Sequence, residues 1–214
     1  MNAVLSTIGT TSGSVARQLL HERPGIWTAR RTGQSEMSRP GARTTMIDRW
    51  LFSLTLCSAL GCGLVAGAFF AFSVFVMKGL DDLPPARGIA AMQSINVTVI
   101  NVWFMGVLFG TAMLSLIAAV IAVRDWAAPG SAFLLAGSLL YLVGSILVTV
   151  ACNVPLNDAL AAVDPDSAAG AARWATYVPD WTAWNHVRTI ASLAASTAFI
   201  VALVRQAQAS GLPG

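Results

Sequence analysis

The residues best suited to chemistry lie close together near the end of the chain, in Trp181-Thr182-Ala183-Trp184-Asn185-His186-Val187-Arg188-Thr189. A histidine offers a general base. An arginine beside asparagine amides offers donors for a developing oxyanion. Two tryptophans offer flat faces for a planar aromatic ligand. On a regular helix, at about 100° per residue, Trp181, Trp184, Asn185 and Arg188 share one face and His186 points about 200° away from Arg188. Either the helix starts near His186, so that both side chains reach one pocket, or His186 packs elsewhere. More amides join this group. Asn96 and Asn101 flank one apolar run, and Asn153 and Asn157 end another in Asn153-Val-Pro155-Leu-Asn157-Asp158.

Asparagine is costly in hydrocarbon and must find hydrogen bonds. A polar pocket lined by Asn96, Asn101, Asn153, Asn157, Asn185, Trp181 and Trp184, with His186 and Arg188 as its reactive groups, accounts for these residues economically. The alternatives are that the amides tie helix ends to loops and that Arg188 snorkels to the headgroups beside a tryptophan belt.

The elements that must carry these residues are apolar and long. The chain is 56% hydrophobic and 11% charged, against about 25% charged in soluble domains, and its mean hydropathy is +0.67. The apolar runs are Trp50 to Met77, Val97 to Val123, Ser131 to Cys152 and a weaker Ile190 to Val204. About 20 apolar residues cross the roughly 30 Å of a bilayer core. The first three runs meet that length. The fourth must borrow from Trp184 to Thr189, which brings Asn185, His186 and Arg188 to the membrane surface. The expected architecture is all-α, an integral membrane four-helix bundle over residues 46–208, with short helices in the loop between spans three and four. Asp166 is a candidate cap for one of them, and Pro155 is expected to end span three. Helix two is expected to begin ahead of the membrane, at Asp82-Leu83-Pro84-Pro85, and to carry Met92 and Asn96 in with it.

Residues 1–45 are rich in Ser, Thr, Gly and Arg. They read as a disordered basic tail or as sequence ahead of a true start at Met37 or Met46. Arg30, Arg31, Arg39, Arg43 and Arg49 precede the first span, Arg124 follows the second and Arg205 follows the fourth. The other two loops balance Lys78 and Arg87 with Asp81 and Asp82, and Arg173 with Asp158, Asp164, Asp166 and Asp180. This bias places both termini of a multi-pass cell-membrane protein in the cytoplasm.

Nucleic-acid binding is not expected, because there is neither a basic face nor a stacking module. Cys57, Cys62 and Cys152 form no CxxC pair, and the only histidines are His21 and His186, so a closed zinc site or a bis-histidine haem is not expected either. The Gly63-Leu-Val-Ala-Gly67 and Gly106-Val-Leu-Phe-Gly110 motifs, with Gly137 and Gly144, permit close helix packing. That packing is either within the bundle or across a homo-oligomer interface.

The Gly67-Ala-Phe-Phe-Ala-Phe-Ser73, Met92-Gln-Ser-Ile-Asn96, Asn153 to Asp158 and Trp181 to Thr189 elements, in that order, resemble the anthrone oxygenase-like family of small membrane proteins, many of them labelled only as a domain of unknown function. The resemblance covers roughly Gly61 to Ala198. It implies a four-helix membrane fold and oxidation of a lipophilic anthrone to an anthraquinone by dioxygen, with no metal or organic cofactor. It thereby suggests His186 as base, Arg188, Asn153 and Asn185 as oxyanion donors, and Trp181 and Trp184 as ring contacts. The alternative is a non-catalytic membrane protein that binds a lipid or quinone, or serves as a subunit of a membrane complex. A transporter is disfavoured by the scarcity of intramembrane charge.

Overall fold

The computed structural model describes residues 41–209, with side chains from Arg49 onward. The expected basic tail, and His21 with it, lies outside the described residues up to residue 40. The chain divides into units Met1–Arg43 and Thr44–Gly214, and all that follows concerns the second.

Among the described residues every element is helical. Helix α1 (Gly41–Ala71) passes through a π-helical turn, Phe72–Val76, into α2 (Met77–Asp81). Helix α3 (Pro85–Thr98) starts with proline in its first turn, where a missing N–H costs nothing. Helix α4 (Val102–Arg124) follows. Helix α5 (Ser131–Tyr141) runs through two π-helical stretches, Leu142–Leu147 and Thr149–Asn153, into α6 (Val154–Ala161). Helix α7 (Ala168–Ala209) completes the fold. Four helical stretches are long and apolar enough to cross a membrane: Arg49–Asp81, Val102–Arg124, Ser131–Ala161 and Ala168–Ala209. The expected all-α four-helix membrane-type bundle is therefore present.

Neighbouring spans run antiparallel. Ser196 Oγ donates to Ala59 O and Asn185 Nδ2 to Phe69 O, so α7 descends as α1 rises. Tyr141 OH donates to Leu108 O and Ser131 Oγ to Asp125 O, pairing α5 with α4 in the same sense. Gly130 makes the tight turn between those two helices with φ 89°, a conformation that L side chains avoid. The bundle core is built from Leu54, Val65, Phe69, Leu108, Leu134, Tyr141 and Phe199. A second apolar cluster caps one end, with Met77, Ile89, Met92, Leu160, Trp174, Tyr177 and Trp181 drawn from α2, α3, α6 and α7. Gln93 Nε2 fastens α3 to this cap by donating to Leu160 O and Val163 O.

Small residues set the helix spacing unevenly. A Cβ on Gly144 would run into Ala191, one on Gly61 into Thr111, and one on Gly137 would meet Phe199 at 3.2 Å. Gly67, Gly106 and Gly110 face open space. The first GxxxG motif thus packs within the bundle only through its Gly63 end, where Ser196 Oγ is 3.4 Å from an added Cβ, and the second does not pack within it at all.

Several boundaries differ from the sequence expectations. Pro155 does not end the third span. The ladder shifts to π spacing just before it, with Val154 N–H bonding Thr149 O, and α6 then starts with the proline in its first turn. The proline's missing donor is therefore accommodated without a break. The expected short helix through Trp174 and Tyr177 is instead the first part of α7, which continues through Pro179. Its 42 residues extend about 63 Å at 1.5 Å per residue, twice the hydrocarbon thickness. Ser167 caps that helix, its Oγ accepting from Gly170 N at 2.9 Å. Asp166 does not; its own N–H bonds Asp164 Oδ1. Helices α3 and α4 are separate, because Asn101 has an extended backbone and caps α4, its Oδ1 accepting from Trp103 N and Phe104 N.

Candidate functional site

The site is laid out along one stripe of α7. Trp174, Tyr177, Trp181, Asn185, Arg188, Ser192, Ala195, Phe199 and Ala202 are all buried, at spacings of three or four. That is the inward face of a helix. Below Ser192 the stripe is small or apolar. Above it the stripe carries an amide, a cation and three aromatic rings.

Arg188 is the centre of this region and is only 5% exposed. Its Nη2 donates to Asn185 Oδ1 at 2.6 Å, and its Nη1 to Thr149 Oγ1 at 3.2 Å. Its guanidinium lies 4.2 Å from the Phe69 ring centroid and 5.2 Å from that of Trp181, an arrangement that stabilises a desolvated cation. Its Nε has no hydrogen-bond partner. No carboxylate among the described side chains reaches it. Among the described residues the one ion pair is Lys78 with Asp82, on the exposed surface, and Asp81, Asp82, Asp125, Asp158, Asp164, Asp166 and Asp180 are all exposed. Arg188 is thus a buried positive charge neutralised by no residue around it.

Asn185 fixes the orientation of that charge. Its Nδ2 donates to Phe69 O and to Ser73 Oγ, both at 2.7 Å. With the NH2 end directed at the first span, only the carbonyl end can face Arg188. Ser73 sits in the π-helical turn of that span, and its hydroxyl also lies 3.3 Å from Thr189 Oγ1. Turns of this kind are frequent at functional sites. Three spans therefore converge on one amide–guanidinium pair: Phe69 and Ser73 from the first, Thr149 from the third, and Asn185 and Arg188 from the fourth.

Asn153 is buried one turn beyond Thr149 and donates to Trp181 O at 3.2 Å, while its Oδ1 is unpartnered. Trp181 Nε1 and Thr182 Oγ1 are also unpartnered. Trp181 packs against Phe72 and Tyr177 with ring centroids 5.8 and 6.4 Å apart, and Tyr177 stacks on Trp174 at 5.6 Å. The Tyr177 hydroxyl donates to Asn157 Oδ1 at 2.9 Å and also interacts with Asn96. Asn96 and Asn157 thereby belong to the aromatic cap above Arg188 rather than to its immediate surroundings.

Two of the candidate residues stand apart. Helix α7 is regular and unbroken through this region, so His186 lies on the face away from Arg188 and is exposed. Trp184 is 42% exposed, whereas Trp181, three residues earlier, is buried. Sequence reasoning had placed Trp184 with the pocket because its helical angle differs little from that of Arg188. The structure centres the buried stripe nearer Asn185, and Trp184 falls outside it. The roles of Phe69 and Tyr177 were not anticipated. The signal for Tyr177 was present, since Trp174, Tyr177, Trp181, Asn185 and Arg188 continue one helical period.

The fold and site define a class: a four-helix membrane-type bundle that buries one cation beneath an aromatic, amide-rich cap. A family model described as anthrone oxygenase matches residues 101–198. Over these residues the chain is similar to the anthrone oxygenase family, in line with the resemblance its motifs suggested. The matched stretch contains Thr149, Asn153, Trp181, Asn185 and Arg188, but neither Phe69 nor Ser73. No curated protein and no solved structure matches the chain.

Proposed function

We propose that this protein is a membrane-embedded oxygenase of a lipophilic aromatic, of the anthrone-to-anthraquinone type. The single observation that carries the reading is Arg188: a cation in the family-matched segment, buried among aromatic rings, held by Asn185 and Thr149 and without an acidic partner among the described side chains. A charge at such depth is a functional site by default. In the reaction, an activated CH2 flanked by aromatic rings loses two hydrogens and gains one oxygen atom from dioxygen, and the second oxygen atom leaves as water. Loss of the first proton gives an electron-rich oxyanion that reacts with dioxygen. Arg188 stabilises that oxyanion, with Asn185 setting the guanidinium and Asn153 offering its free Oδ1 to a substrate hydroxyl. Trp181 supplies the aromatic wall. The Lys/Arg bias of the loops supports cytoplasmic termini in a cell membrane, which puts this end of the bundle on the outer side.

The test is dioxygen uptake by purified protein with emodin anthrone. Acceleration over the spontaneous reaction is expected, with a fall of at least about a hundredfold in Arg188→Ala, the scale of losing one oxyanion donor. No acceleration by wild-type protein sinks the anthrone assignment. A second reading, a non-catalytic membrane protein binding a quinone or lipid, is favoured by one observation. The unpartnered atoms Arg188 Nε, Asn153 Oδ1 and Trp181 Nε1 are fully enclosed. Mass spectrometry of small molecules carried through purification separates the two readings.

A further inference from the structure

We infer that the middle of the bundle binds ordered water: beneath Arg188, the buried hydroxyls of Ser145 and Ser192 hold water molecules that solvate the cation from the side away from the aromatic cap. The inference goes beyond the proposed function and is independent of it, since it rests on side chains that the proposed reaction does not use.

The first argument is a set of hydroxyls without partners. Most buried hydroxyls of the bundle are satisfied. Ser58 and Ser138 bond back along their own helices, and Tyr141 and Ser196 donate to carbonyls of neighbouring spans. Ser115, Ser145 and Ser192 are all 0% exposed, and their Oγ atoms have no hydrogen-bond partner among the described residues. They come from three different spans. A hydroxyl enclosed in apolar surroundings without a hydrogen bond is costly. Water relieves that cost, because a buried water makes about three hydrogen bonds to groups of this kind.

The second argument is depth. Gly137 packs on Phe199 and Gly144 on Ala191, while Thr149 accepts from Arg188. Residue numbers rise on one helix as they fall on the other, so the third span and α7 are antiparallel. Ser145 is one turn before Thr149 and Ser192 one turn after Arg188, which sets both hydroxyls at one level beneath the guanidinium. The unpartnered Arg188 Nε is the next polar atom above them. One turn further down the third span, the Tyr141 hydroxyl interacts with Thr111 and lies near Cys62, and Ser115 is one turn below Thr111. This polar column is blind. Ser138, the next inward hydroxyl of the third span, bonds to Leu134 O, so the water sits in a closed chamber and not in a pore. The surroundings also favour water over an inorganic anion. An anion only accepts hydrogen bonds, whereas Ser145 lies in the π-helical stretch Leu142–Leu147, where the shifted spacing turns backbone carbonyls out as further acceptors. Water can donate to these and accept from the hydroxyls. Ser115, at the far end of the column from Arg188, gives an anion no charge to pair with.

The experiment is X-ray hydroxyl-radical footprinting of the full chain in nanodiscs, in which water split where it is bound oxidises the side chains beside it. Tyr141, Cys62 and Phe199 are all 0% exposed, and Phe199 lies two turns below Ser192 on α7. With each rate corrected for the same residue in the unfolded chain, Tyr141 and Cys62 are expected to be oxidised at least about tenfold faster than Phe199, the contrast between a wet and a dry site. The Ser145→Ala/Ser192→Ala double variant is expected to lose most of that contrast. Equal corrected rates at the three residues of wild type overturn the inference, and so does an unchanged contrast in the double variant. Unfolding midpoints in detergent give a second, independent sign. Loss of a hydrated hydroxyl lowers the midpoint, whereas loss of a dry, unpartnered one raises it. Ser145→Ala and Ser192→Ala are each expected to lower it, and a rise in either overturns the inference. Replacing chloride by gluconate at constant ionic strength is expected to leave the wild-type midpoint unchanged. A drop that Ser192→Ala abolishes makes the occupant an anion and overturns the assignment of water. Fast oxidation of Tyr141 and Cys62 with no dioxygen uptake sinks the oxygenase reading only, and uptake with equal oxidation rates sinks this inference only.

Discussion

The two ends of the bundle treat their polar side chains differently. Toward the end that holds the first turns of α1 and the last turns of α7, hydroxyls are mostly satisfied by their own helix. Thr55 donates to Leu51 O, Ser58 to Leu54 O and Ser138 to Leu134 O, each four residues back. Toward the other end Thr149 and Thr189 also bond back along their own helices, but the amides and the guanidinium bond between helices: Asn185 to Phe69 and Ser73, Arg188 to Thr149, Asn153 to Trp181 O. A back-bonded hydroxyl is invisible to neighbouring helices and lets them pack as if it were alanine. A cross-helix amide fixes which helices meet and in what register. The first end is scaffold, and the second spends polar groups on geometry that packing alone would not require.

That contrast can be broken. The largest effect is expected from Asn185→Leu, which removes the side-chain partner of Arg188 Nη2 and of Phe69 O and leaves Ser73 Oγ with Thr189 Oγ1 alone. A buried charge deprived of its partner costs about 3 kcal/mol, and unfolding in detergent should show a loss of that order. A loss below about 1 kcal/mol would mean that the pair is wet and rearranges freely. An intermediate effect is expected at Tyr141→Phe, which removes one buried bond between helices, to Leu108 O, at about 1 kcal/mol. The smallest is expected at Ser58→Ala, whose bond lies within its own helix, within about 0.5 kcal/mol of wild type. If Ser58→Ala cost as much as Tyr141→Phe, the two ends would not differ in kind.

Much of this arrangement was legible in the sequence, and the failures have identifiable causes. Run lengths alone specified three spans, and a fourth once Trp184 to Thr189 were counted with Ile190 to Val204. The depth of Arg188 followed from the shortness of the fourth run: Arg188 lies about 31 Å from the end of α7 at 1.5 Å per residue, close to the thickness of the hydrocarbon core. The polar ends of the spans identified Asn153 and Asn185. His186 stayed open because its placement depended on whether α7 was already regular there. Two prolines, Pro155 and Pro179, lie within helical stretches ahead of it. Neither broke the chain's path. Pro155 followed a π-helical turn, and Pro179 lies on an exposed part of α7, where water can take up the freed carbonyl. The π turns carry no local signature, because side chains on other helices stabilise them. Asn101 read as a pocket amide because its capping role depends on a break between α3 and α4 that the apolar run conceals.

The π turns also have a consequence for length. Each amounts to one residue more than an α-helix would use over the same rise. Removing a single residue from Thr149–Asn153 would let the third span close into a regular α-helix while the segments on either side kept roughly their facing. The same deletion in the regular helix α5 would turn everything beyond it by about 100° relative to the residues before it. The π turns are therefore the places where the third span can change its residue count without moving the cap away from the cation, and variation in length should concentrate there.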